Sequence, residues 1–175
     1  MDKKQVRHYL YVGAILAGIG ILSAAVIVGT NLITEQRIKE NEIAAKNKAM
    51  GEVFSDCTFG EETKISDIEY LVSYTDAFKG ELEYGSVYYT SGKNMYGSIS
   101  MMVGIYVNGE VGHISLVENT ESYASTIEDE YLLPYNENPT EESLDATKCG
   151  ATYGANLIKD MAKAAQNHFK ERKGL

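Results

Sequence analysis

Ser100–Glu118 reads SMMVGIYVNGEVGHISLVE, two runs in which apolar and small or polar residues alternate about the dipeptide Asn108-Gly109. Alternation with period two places successive side chains on opposite faces of a strand, and Asn-Gly suits the positive φ values of a tight turn, so the stretch predicts a β-hairpin. Working upstream, Ile68–Tyr74 (IEYLVSY) and Leu82–Thr90 (LEYGSVYYT) are rich in β-branched and aromatic residues and are punctuated by Gly80, Gly85 and Ser91-Gly92. They predict further strands. Downstream, Gly154–Arg172 carries Leu157, Ile158, Met161, Ala162, Ala165 and Phe169 at helical spacing with polar residues between them, so one helix face is built to pack on a sheet. These elements predict an α+β domain, a mostly antiparallel sheet flanked by helices.

The N-terminal part has a different character. Tyr9–Ile33 (YLYVGAILAGIGILSAAVIVGTNLI) runs for twenty-five residues without a charge. As a helix it is long enough to cross the roughly 30 Å hydrocarbon core of a bilayer. A cleaved signal peptide is the competing reading, but its apolar stretch would be shorter, roughly 7–15 residues. Lys3, Lys4 and Arg7 precede the span, so the positive-inside bias puts residues 1–8 in the cytoplasm and the chain beyond about Thr34 outside. Ala14-x-x-x-Gly18 and Ala25-x-x-x-Gly29 set small residues one turn apart, a spacing that permits close approach of another membrane helix, although Ala and Gly are common in any span. Thr34–Val53 is charged, rich in helix formers and free of Pro, and predicts a helical continuation above the bilayer. The expected organisation is a tail over 1–8, a span over 9–33, a membrane-proximal helical connector over 34–60 and a domain over 61–175.

Charge limits the partners. The chain has a net charge of −9, and no Lys or Arg occurs from Asn94 to Thr147, which makes nucleic acid a poor partner for this face. Thr126–Asp145 (TIEDEYLLPYNENPTEESLD) holds seven acidic residues and both prolines, and is expected to be a solvated loop rather than an ion site. Cys57 and Cys149 are too far from any C-x-x-C pattern to suggest a cluster or zinc site, and either pairing or two free thiols is compatible with the sequence. His8, His113 and His168 form no nucleophile–base order and read as structural or surface residues.

One short segment carries chemistry. In DATKCGATYGANLIKDMAKAA (Asp145–Ala165) the small residues Gly150 and Ala151 precede the hydroxyl of Thr152 at the start of the last helix, with Lys148 the nearby cation. Free backbone N–H groups and the helix dipole favour an anion there, so a phosphate held or esterified at Thr152 would be stabilised. The alternative is that Thr152 caps the helix, a common use of Thr.

Cys149-Gly150-Ala151-Thr152 resembles the Ser/Thr-Gly-Ala-Thr flavinylation motif of the FMN-binding domain family, in which FMN is joined through its phosphate to the last threonine. Ser91–Gly104 (SGKNMYGSISMMVG) resembles that family's Gly-Tyr-Gly-x-Ile segment, and Val117–Ser122 (VENTES) its Thr-Glu-Thr-Pro-Gly loop. With the span followed by TNLITEQRI, the chain is similar to the G-subunit family of Rnf-type ferredoxin:NAD oxidoreductases and, more distantly, to the C subunit of sodium-pumping NADH:quinone oxidoreductases. Some positions differ. Cys149 stands where the family has a small hydroxyl residue, Asp145 lies one residue further from the threonine, Tyr153-Gly154-Ala155 replaces a hydroxyl-rich pair, and Glu121-Ser122-Tyr123 lacks the Pro-Gly.

The resemblance implies a single-span cell-membrane protein with an extracytoplasmic FMN domain, relaying electrons as one subunit of an ion-translocating complex. It implies covalent FMN on Thr152, with Lys148, Cys149, Gly150 and Ala151 in the attachment turn. Tyr96, Gly97, Thr120, Glu121, Ser122 and Tyr123 would surround the cofactor, and no residue is required as acid, base or nucleophile. The implied partners are the other membrane subunits, met through the transmembrane helix and the FMN domain, and a flavin transferase for maturation. Two other readings stay open at this point: a standalone membrane-anchored flavin domain feeding an extracellular acceptor, and a non-redox assembly subunit with a decayed attachment motif.

Overall fold

The computed structural model describes residues 3–146 and 148–175; Met1 and Asp2 of the expected tail, and Thr147, lie outside the described residues. Two compact units are present, Met1–Ile43 and Ala44–Leu175.

The first unit is helix. Helix α1 runs Lys3–Val53, past the unit's end at Ile43, with no Pro to break it. Its segment Arg7–Val28 has a mean hydropathy of 2.3 and is long and apolar enough to cross a membrane. Tyr9, Leu10, Tyr11, Ile15, Leu16, Ile19, Leu22 and Ile27 are all exposed, on every side of the helix. A helix that is apolar all round suits a lipid surrounding. Past the apolar stretch, Glu35 and Lys39 form an exposed ion pair one turn apart at 2.6 Å.

The second unit is α+β. Strands β1 (Thr58–Phe59), β2 (Thr63–Lys64), β3 (Leu71–Lys79), β4 (Leu82–Asn94), β5 (Gly97–Tyr106) and β6 (Val111–Asn119) form one antiparallel sheet in the order β1-β3-β4-β5-β6, with β2 also paired to β3. Helix α1 ends at Val53, and Thr58–Phe59 already pairs with the sheet, so the last residues of the stretch expected as helical connector are turn and strand.

The hairpin is present, with a different turn. Only Gly109 has positive φ (+84°), the Gly109 N–H donates to Tyr106 O at 2.8 Å and the Tyr106 N–H to Glu110 O at 2.9 Å. Val107-Asn108-Gly109 is thus a three-residue loop with glycine in the left-handed position, and Asn108 instead accepts the Glu110 N–H on its side-chain oxygen.

Strand β5 is buried continuously from Ile99 to Ile105 because both faces of the sheet are covered. Met101, Val103 and Ile105 point to one core, together with Tyr88, Ile114 and the apolar face of α5 (Thr152–Lys173): Leu157, Ile158, Met161, Ala165 and Phe169. Met102 points the other way, against Ala49, Val53 and Phe54 from the end of α1 and the turn after it, with Ala77 and Val87. There Phe54 is only 3% exposed and lies edge-on to Tyr84 at a ring separation of 5.2 Å.

The acidic stretch is not a solvated loop. Helix α2 (Ala124–Ile127), a π-turn (Glu128–Leu132), α3 (Leu133–Glu137) and α4 (Glu141–Ala146) follow one another, and Ile127, Tyr131, Leu132, Tyr135 and Leu144 are buried in the first core. The carboxylates face water, and the residues between them make the packing. The Tyr131 hydroxyl donates to Leu144 O at 2.9 Å and that of Tyr135 to Gly112 O at 2.8 Å, so neither buried phenol is left unpartnered. The Asn136 amide accepts the Ile114 N–H at 3.0 Å and donates to Ile114 O at 2.8 Å, closing part of the β6 edge as a neighbouring strand would.

At the far end of α5, Arg172 makes a two-pronged pair with Asp76 (2.8 and 3.2 Å), also donates to Ser86 Oγ and lies over the Tyr74 ring at 4.1 Å. Beside it, Tyr88 and His168 Nδ1 are hydrogen-bonded at 3.0 Å. Burial, and then the Arg172 charge, push the His168 pKa below its usual value, and burial does the same to His113. Asp76 is held below its usual carboxylate range by its bonds to Arg172 and Ser86, which outweigh its burial. Cys57 and Cys149 are free and half-buried, packed against different cores.

Two outcomes follow from this packing. Phe54→Ala, measured by urea unfolding of the detergent-solubilised chain, lowers the unfolding free energy by about 3 kcal/mol, because it empties the core between α1 and the sheet. The second concerns pH. A histidine with a depressed folded pKa costs nothing above the unfolded value of about 6.5, and below it the unfolded chain takes up the proton first, so stability falls as pH drops through that window. Asp76, also depressed, adds a loss at lower pH, once the unfolded carboxylate begins to protonate. Melting temperature therefore declines in two stages on acidification, and His168→Asn flattens the first.

Candidate functional site

Helix α5 begins where the acidic helical segment hands the chain back to the core. Its N-cap residue is Ala151, no side chain caps it, and Thr152 is its first helical residue. Thr152 is exposed, and among the described residues its hydroxyl has no hydrogen-bond partner. The capping alternative for Thr152 is thereby set aside. The first intrahelical bond comes from the Ala155 N–H to Ala151 O at 3.0 Å. The N–H groups of Thr152, Tyr153 and Gly154 have no partner among the described residues, and Gly154 is buried. A helix start left in this state holds concentrated positive partial charge.

A cleft of about 240 Å³ opens at this point, lined by Tyr96, Glu121, Tyr123, Gly150, Ala151, Thr152, Tyr153 and Gly154. Its far wall is the β4–β5 turn joined to the loop after β6. The Thr120 N–H donates to Ser98 O at 2.9 Å, the Ser98 N–H to Thr120 Oγ1 at 3.0 Å, and both the N–H and the hydroxyl of Ser122 donate to Tyr96 O at 3.2 and 3.3 Å. The Tyr96 N–H in turn donates to Asn94 Oδ1 at 2.7 Å. Gly97 permits this junction, since a Cβ there would come within 2.5 Å of Thr120 O and 2.7 Å of the Glu121 backbone.

Glu121 is 6% exposed and accepts a hydrogen bond from the Asn94 amide, while its own N–H donates to Asn119 Oδ1 at 3.1 Å. Its carboxylate lies under the first turn of α5, where a Cβ on Gly154 would meet Glu121 Oε1 at 3.1 Å and also collide with the Ile127 side chain. The residue at 154 thus has to be small for helix, loop and α2 to meet. On the other side, the Gly150 N–H donates to Glu130 Oε2 at 3.0 Å, which ties the turn before α5 to the acidic helical segment.

The structure brings Tyr96, Glu121, Tyr123, Gly150, Ala151 and Thr152 into one cleft. Gly97, Thr120 and Ser122 stand behind its wall and hold its shape. Cys149 is half-buried against the core, and Lys148 is exposed; neither lines the cleft, so the favourable field for an anion comes from the helix backbone and not from a basic side chain. Four participants were not among the expected site residues. Asn94, at the end of β4, and Glu130, one of many acids, gave no local signal, whereas Tyr153 and Gly154 were visible as departures beside Thr152. Tyr96, Tyr123 and Tyr153 form one exposed group, with ring centroids 6.1 Å apart for Tyr96–Tyr123 and 5.5 Å for Tyr96–Tyr153.

The arrangement can hold an esterified or bound phosphate at the helix start and a flat ring against the tyrosines. Among the described residues no group of three or more His, Cys, Asp and Glu side chains is placed to hold a metal ion.

No curated protein matches the chain. A family model described as the RnfG N-terminal region matches residues 1–53, the stretch that contains the apolar helix and its charged continuation. Over that stretch, under a third of the chain, the sequence is similar to the N-terminal region of RnfG-type subunits.

Proposed function

We infer that the chain is an electron-transfer subunit of an Rnf-type ion-translocating ferredoxin:NAD oxidoreductase, carrying FMN esterified through its phosphate to Thr152. One observation carries this reading: an exposed, unpartnered threonine hydroxyl at an uncapped helix start, on the rim of a tyrosine-walled cleft. The residues fit the group. The free N–H groups of Thr152, Tyr153 and Gly154 suit a phosphate diester, Gly150 and Ala151 leave room beside it, and Tyr96 and Tyr123 offer aromatic surface to the ring. FMN supplies reversible electron acceptance and release, and the protein supplies orientation and electrostatics.

Cleft size bears on the role. Enclosed ligand pockets hold about 300–1,000 Å³, and this cleft is smaller, at about 240 Å³. It suits the phosphate and part of the flavin, leaving an edge open to a redox partner. A covalent tether is then what prevents loss of a weakly enclosed cofactor. The helix over 9–33 anchors the chain in the cell membrane, with 1–8 in the cytoplasm and the charged helical stretch after it leading to the FMN-binding domain outside, whose core takes in Ala49, Val53 and Phe54 as well as residues beyond 61. Ferredoxin, NAD and the ion are handled by other membrane subunits, and a flavin transferase loads the threonine. The chain completes no reaction alone.

The test is Thr152→Ala beside wild type, both purified from the native membrane. In-gel flavin fluorescence after denaturation is present in wild type and lost in the variant. In chains made without the flavin transferase, so that neither carries flavin, the two unfolding free energies differ by less than about 0.5 kcal/mol, as for an exposed side chain that caps nothing. A drop of about 1 kcal/mol with no flavin on wild type would restore Thr152 to a helix-capping role.

A further inference from the structure

Six of the eleven tyrosines of the second unit form two contrasting sets. Tyr88, Tyr131 and Tyr135 are fully buried with their hydroxyls satisfied. Tyr96, Tyr123 and Tyr153 instead cluster at the cleft with 38%, 55% and 57% of their surfaces in water. A contiguous group of exposed aromatic rings beside a concave site marks a surface suited to binding a ligand or partner.

Their geometry is uneven. Tyr96 is central, its backbone fixed on both sides by Asn94 and Ser122, and the other two rings meet it at 69° (Tyr123) and 51° (Tyr153) rather than stacking on it. Tilted neighbours leave ring faces uncovered. Tyr153 belongs to the rigid first turn of α5 and is bonded directly to Thr152, so its ring travels with the attachment point. Tyr123 stands on the opposite loop, just before α2. A planar heterocycle tethered at Thr152 therefore meets one ring on its own helix and two across the cleft.

We propose that Tyr153 is a positioning residue for the flavin: its ring docks the isoalloxazine against the cleft and, with Tyr96 and Tyr123, forms a three-sided aromatic seat. This rests on the reading that Thr152 carries FMN. It assigns a use to a residue that departs from the resembled motif. The seat gives the tethered ring a docked state in equilibrium with a released one, and Tyr153 sets the balance.

The experiment uses the full chain purified from its native membrane, as wild type, Tyr153→Leu and Tyr153→Phe. Intact mass reports covalent flavin; the ratio of native to denatured flavin fluorescence and the visible circular dichroism of the flavin band report docking. Stacking of a heterocycle on an aromatic side chain makes the docked state at least about fivefold less favoured in Tyr153→Leu. That variant keeps its flavin mass, gains native fluorescence and loses dichroism. Tyr153→Phe retains the dichroism, which a loss of bulk structure would not allow. Flavin mass in all three with unchanged fluorescence and dichroism in Tyr153→Leu overturns the seat while leaving the tether intact. Wild type without flavin overturns both, and the mass distinguishes the two failures.

Discussion

Strand β5 is buried on both faces, and the rest of the domain is arranged to satisfy that constraint. A strand in the middle of a sheet with Met101, Val103 and Ile105 on one side and Met102 on the other needs two covers. The first is α5 with the short helices that precede it; the second is the end of α1 with Phe54. Because α5 must lie along the sheet to bury Leu157, Ile158, Met161 and Phe169, its N-terminus is delivered to the end where the β4–β5 turn and the loop after β6 meet. The cleft is a consequence of covering the core.

That placement explains how an acidic chain with a net charge of −9 can offer a place to an anion. No basic side chain lines the cleft, so the attraction comes from backbone dipoles, which titrate with nothing and need no counterion. Carboxylates are used nearby for structure. Glu130 holds the turn at Gly150 and Glu121 braces the loop through Asn94, so the two acids fix the geometry of a site whose remaining N–H groups stay open.

Much of this was legible in the residues, and the failures have physical causes. Ser100–Glu118 showed its hairpin, but Asn108-Gly109 alone did not distinguish a two-residue turn from a three-residue loop with only Gly109 at positive φ. The helix over Gly154–Arg172 was plain from its apolar spacing, although it starts two residues earlier, at Thr152, where no capping side chain marks the start. Thr126–Asp145 was misread because its acids dominate the composition. Ile127, Tyr131 and Tyr135 recur at four-residue intervals within it, and that spacing was the signal of a buried helical face. Lys148 was adjacent to the turn before α5 in sequence yet lies outside the cleft lining, since chain neighbourhood does not determine which way a loop residue turns. Tyr153 registered as a departure from a pattern, and only its proximity to Tyr96 gives it a place in the site.

The central claim is that Thr152 is the point of attachment. Peptide mass mapping of the chain taken from its native membrane tests it most directly, because trypsin cleavage after Lys148 and Lys159 releases Thr152 on a short fragment. The account predicts that this fragment carries the mass of FMN joined by a phosphoester, with fragmentation placing it on the threonine. The same fragment recovered wholly unmodified, from cells whose flavin transferase is active, would contradict it.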